Sequence, residues 1–144
     1  MKKTILLAAA LLSVVSVGAS AHARHVQFPG FHDHFTVNIA SGIPSVVQYQ
    51  SQTGTVKNDG QPVCGSSVCT FAITDNNSWD SNGTVSYLIG DPNKQGPYCI
   101  ATITDGALLP SATMNTSCSN GATASQLMHN GSDYQFNMSL QNKR

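Results

Sequence analysis

Three sets of residues in this sequence have types and spacings that could do chemistry. Four histidines crowd its start, at His22, His25, His32 and His34. Imidazole nitrogens suit copper, and on an extended strand His32-Asp33-His34 would present both rings on one face. A polar stretch from Thr74 to Gly83 surrounds the single tryptophan and holds Asp75, Asn77, Trp79 and Asp80. An indole flanked by carboxylates and amides suits a sugar, whose apolar ring face stacks on the aromatic while its hydroxyls bond to the polar groups. The third set is four cysteines, Cys64, Cys69, Cys99 and Cys118, an even number that reads as two disulfides in an oxidising compartment.

Catalytic signatures are missing. The chain has no G-x-S-x-G, no H-E-x-x-H and no glycine-rich phosphate loop. Cysteines tied up in disulfides are not nucleophiles. Asp75 and Asp80 could serve in principle as a glycosidase acid and base, but nothing in the sequence separates their pKa values. A calcium loop built on Asp75, Asn77, Asp80 and Asn82 fails the EF-hand spacing, because Trp79 falls at position five. These residues point to a non-enzymatic binding function that uses no cofactor, with copper binding as the alternative.

The opening of the chain indicates export. Lys2 and Lys3, an apolar run from Ile5 to about Val17 and small residues ending in two A-x-A sites are the parts of a secretory signal peptide over residues 1–23, of bacterial style. Cleavage after Ala21 would make His22 the first residue, and cleavage after Ala23 would expose Arg24 and His25. A chain beginning at His22 resembles, over one to three residues, the exported copper carriers and the lytic polysaccharide monooxygenases. That resemblance implies copper held by the terminal amine and imidazole, with His25, His32 and His34 as further candidates.

Removing 23 of the 144 residues leaves 121, which suits one domain with a substantial core. Five basic residues then face seven aspartates, a net charge of about −2, so nucleic acid is a poor partner. A carbohydrate or a surface protein is the expected ligand. No transmembrane segment is expected after signal cleavage, and the destination is the periplasm or the outside of the cell. There is no glutamate at all, whereas Ser, Thr, Asn, Gln and Gly abound. That composition favours strands and turns over helices.

The elements that must position these residues are short strands. Residues 24–34 show no period and read as an extended arm, followed by a single domain over residues 35–144. Phe35, Val37 and Ile39 alternate with polar neighbours, as do Phe71 and Ile73, then Val85, Tyr87 and Ile89, and finally Tyr134, Phe136, Met138 and Leu140. Tyr98 to Cys118 reads as a hairpin turning near Leu108 and Leu109, with Cys99 opposite Cys118, Ala101 opposite Thr116 and Ile103 opposite Met114. Cys64 and Cys69 flank a four-residue turn that brings them within bonding reach; linkage of either to Cys99 or Cys118 is the alternative.

About eight such strands predict an all-β fold, an antiparallel β-sandwich with Ig-like or jelly-roll-like connectivity and two disulfides. Successive loops of a sandwich alternate between its ends. The loops at residues 75–83, 105–110 and 129–131 therefore share one end, and the expected ligand-binding set is Asp75, Asn77, Trp79, Asp80, Asp105 and His129.

Overall fold

The computed structural model describes residues 31–75, 82–106 and 111–141. They form β1 (Phe31–Ile39), β2 (Val47–Gly54), β3 (Val56–Asn58), β4 (Val63–Cys64), β5 (Val68–Asp75) and β6 (Asn82–Gly90). The order continues with β7 (Tyr98–Gly106), β8 (Thr113–Ser119), β9 (Ala122–Ala124), β10 (Met128–Asn130) and β11 (Asp133–Leu140). None of the described residues is helical.

The larger sheet runs β10-β11-β1-β5-β3, with β4 also on β5 and β9 also on β11, and the smaller runs β2-β6-β7-β8. Inward residues of both sheets form one core. Phe35 stacks on Phe71 at 5.2 Å and on Tyr134 at 4.8 Å, and Phe71 meets Tyr87 of the smaller sheet at 4.3 Å. The Tyr87 hydroxyl crosses the layer and donates to Asn58 Oδ1 at 2.8 Å or the Ala72 carbonyl at 3.1 Å. The architecture is the expected all-β sandwich.

The arms of the expected hairpin pair as read, while its turn near Leu108 and Leu109 lies outside the described residues. Cys99 faces Cys118, Ala101 faces Thr116, and Ile103 faces Met114. Both disulfides join residues directly opposite one another, Cys64 to Cys69 and Cys99 to Cys118, with Cα separations of 4.1 and 4.0 Å.

Four details differ from expectation. The described residues hold eleven strands instead of about eight, because β3, β4, β9 and β10 have two or three residues each and such pieces carry no readable period. One pair is parallel: β1 lies beside β11, with Val37 opposite Phe136, whereas every other pairing is antiparallel. The first strand starts at Phe31, so residues 31–34 of the expected arm are sheet. Asn130 pairs with Asp133, so the turn sits at Gly131 and Ser132, and residues 129–130 of the expected 129–131 loop are strand.

Close backbone approach explains one glycine pair. Gly54 and Gly83 are Cα partners where β2 leaves the smaller sheet towards β3, and a Cβ on Gly83 would collide with the Thr53 carbonyl. Glycine alone permits that contact.

Candidate functional site

At one end of the sandwich, three strands finish their inward rows with an aspartate. Asp33 continues the row of Phe35, Val37 and Ile39 on β1, Asp75 that of Phe71 and Ile73 on β5, and Asp105 that of Ala101 and Ile103 on β7. All three are buried, with exposures of 7%, 1% and 9%, so their carboxylates face the core layer instead of bulk water. Burial pushes Asp33 up to about 6, aided by the charge of Asp105 and opposed by a Ser132 hydrogen bond and by His34 and His32. Asp105 is likewise raised, first by burial, against a backbone hydrogen bond from Gly106, and further by Asp75. Asp75 accepts a hydrogen bond from Thr55 Oγ1 at 3.0 Å. Tyr134 belongs to the same end: its hydroxyl accepts the Ala112 N–H at 2.9 Å, and burial raises it, with Asp33 and Asp105 adding to the shift.

Loop alternation therefore does gather Asp75 and Asp105, as buried groups on the inward rows. His129 is exposed and packs on Tyr134 at 5.6 Å. Asn77, Trp79 and Asp80 lie outside the described residues, as do His22 and His25. Sequence reasoning missed Asp33 at this end, although the signal was present, since Asp33 is in phase with Phe35, Val37 and Ile39.

The same parity turns His32 and His34 outward, on one face as expected. His32 Nδ1 lies 3.1 Å from Asp59 Oδ2, an exposed contact, and no such contact joins it to His34. Among the described residues, no three His, Cys, Asp or Glu side chains are grouped so as to hold a metal ion. His34 instead belongs to a surface that the sequence did not advertise.

That surface is the outer face of the larger sheet, where side chains stand in rows across the strands. One row crosses five strands in register: Val63 opposite Thr70, Thr70 opposite Thr36, Thr36 opposite Gln135, Gln135 opposite Met128. Beside it runs a polar row in which Ala72, His34, Asp133 and Asn130 are successive partners. Asp59 extends this row, its N–H bonded to the Ala72 carbonyl at 2.9 Å. Two depressions of about 270 and 340 Å³ lie along these rows, the smaller over β4, β5 and β1 and the larger over β1, β11 and β10. Between them they include every member of both rows, and they share Thr36. His129 lines the larger, so among the described residues of the expected ligand set it is the one that meets this surface.

The lining can both donate and accept hydrogen bonds, through the hydroxyls of Thr36 and Thr70, the amides of Gln61, Asn130 and Gln135, and the carboxylates of Asp59 and Asp133. No described lysine or arginine contributes to either depression. The row ends on two of the most exposed large apolar side chains described, Val63 at 68% and Met128 at 58%.

No family model, curated protein or solved structure matches this chain. Function is therefore argued from the site alone. No helix among the described residues is long and apolar enough to cross a membrane. The two disulfides are compatible with an oxidising compartment.

Proposed function

We propose that this protein is an exported, non-enzymatic binding or adhesion module that holds a carbohydrate or surface-protein ligand on the outer face of its larger sheet. The observation that carries this reading is the pair of depressions, about 270 and 340 Å³, that meet at Thr36 along two rows of polar side chains. The leader-like first 23 residues and the two disulfides support placement in the periplasm or outside the cell. The inward orientation of Asp75 and Asp105 supports a binding role over hydrolysis, because neither carboxylate is presented to a bond outside the fold.

Screening the exported protein against immobilised glycans and surface proteins, beside a Thr36→Arg variant, tests the reading. Thr36 is shared by both depressions, so a long charged side chain there obstructs each. Ligands retained by the native protein and lost by the variant are expected. Equal retention of every ligand by the two proteins sinks the proposed face.

A further inference from the structure

We infer that the two-row surface is built for a neutral, extended glycan chain lying across the strands, with its sugar rings in series over the two depressions; the inference rests on the binding reading above. Direction is the first reason. The apolar-ended row crosses five strands in register from Val63 to Met128, and four strand spacings of about 4.8 Å give a track of roughly 19 Å. A track of that length fits a short oligosaccharide and is too long for a single sugar.

Chemistry is the second. Hydroxyl-rich rings need donors and acceptors side by side, which Thr36, Thr70, Gln135 and Asn130 supply as neutral groups while Asp59 and Asp133 add strong acceptors. Sugar rings also carry apolar C–H faces, and the exposed Val63 and Met128 lie at the two ends of the track to receive them. Charge narrows the class. The lining holds two carboxylates, two histidines and no described lysine or arginine, a balance that disfavours sulfated, phosphorylated or uronic-acid chains.

An extended peptide is disfavoured for a different reason. Peptide strands are captured at sheet edges through main-chain hydrogen bonds, whereas this track crosses β5, β1 and β11, each flanked by strands on both sides. Their backbone groups are occupied by the ladder, leaving only side chains to make contacts.

Titration calorimetry of the exported protein with neutral oligosaccharides of glucose, mannose, xylose and N-acetylglucosamine, from disaccharide to hexasaccharide, tests the inference. One series is expected to bind with affinity that rises with length until the track is filled. Gln135→Ala and Asp133→Asn, both exposed positions where folding is safe, are expected to weaken it roughly tenfold each, the effect of losing a directional hydrogen bond. Thr36→Arg is expected to abolish it. Preference for polygalacturonate or heparin fragments over the neutral series overturns the inference. So does neutral binding that none of the three substitutions changes. If the neutral series fails while a surface protein is retained by the native chain and lost by Thr36→Arg, the glycan falls and the binding face stands; if Thr36→Arg alters no ligand at all, both fall.

Discussion

Asp33→Asn is the substitution whose effect follows most directly from the structure, and its sign is opposite to that of an ordinary salt-bridged aspartate. Burial beside Asp105 raises the Asp33 carboxyl from 3.8 to about 6. At about 1.36 kcal/mol per unit the full shift corresponds to about 3 kcal/mol; partial access of water at the end of the sandwich screens this to about 1–2 kcal/mol. Because the folded pKa lies above the unfolded one, the native state binds the extra proton between about 6 and 3.8. Stability therefore increases as pH falls through that window and is reduced above it. Asp91 acts oppositely but elsewhere. Hydrogen bonds from the backbone N–H groups of Gly96, Asn93 and Gln95 hold it low, so its contribution is lost only as pH falls below the usual carboxylate range.

Thermal unfolding of the oxidised protein, followed by circular dichroism, reads this out. Between about pH 7 and about pH 4.5, which spans about two-thirds of the window, the native midpoint is expected to rise by about 3–5 °C, using about 4 °C per kcal/mol for a domain of this size. Asp33→Asn is expected to melt above the native protein at neutral pH and to lose most of the pH dependence. Ser132 still has a side-chain partner in that variant, and the repulsion with Asp105 is gone. A native midpoint that falls over the same window, or an Asn variant that is less stable at neutral pH, refutes the reasoning.

The other predictions are briefer. Replacing Cys99 and Cys118 by Ala is expected to lower stability by about 3 kcal/mol, against about 2 kcal/mol for Cys64 and Cys69, since the loops closed span 19 and 5 residues; denaturant midpoints of the two double variants should fall in that order. Tyr134→Phe removes the acceptor of the Ala112 N–H and is expected to cost about 1–3 kcal/mol in the same assay, with no loss of secondary structure. Gly83→Ala drives a Cβ into the Thr53 carbonyl and is expected to cost about 1–3 kcal/mol, because backbone, not a flexible side chain, stands in the way. Intact mass fixes the terminus of the exported chain, after which a Cu(II) titration is expected to show no saturable site; a saturable site abolished by His32→Ala or His34→Ala would replace the binding reading with copper carriage.

What could be read from the sequence was local. The partners of Cys99, Ala101 and Ile103 follow from an alternation unbroken across a single hairpin, so register and disulfide were visible together. The start of β1 was hidden because His32-Asp33-His34 puts a carboxylate at an inward position, which interrupts the apolar pattern that marks a half-buried strand. The outer-face surface was hidden for a deeper reason. Its rows join residues as far apart in the chain as Thr36 and Gln135, and they exist only because β11 lies parallel to β1 and because the brief strands β4 and β10 flank the sheet. Nothing local encodes a pairing between Asn38 and Asn137, whose side chains meet at 2.8 Å. His129 entered the expected set for its place on an end loop and instead lines the larger depression as a residue of β10.

The parallel pairing of β1 with β11 also has a consequence in time. β1 sits in the interior of the larger sheet, with β5 on one side and β11 on the other. One flank of β1, with inward contacts such as Phe35 on Tyr134, is thus supplied by the last described strand. During synthesis the hairpins of the smaller sheet can form as they emerge, but β1 must wait for nearly the whole chain before its second neighbour arrives. Such long-range closure is slow compared with local hairpin formation. The protein therefore commits to its final structure late, and a chain interrupted before β11 is left with an open, half-satisfied first strand.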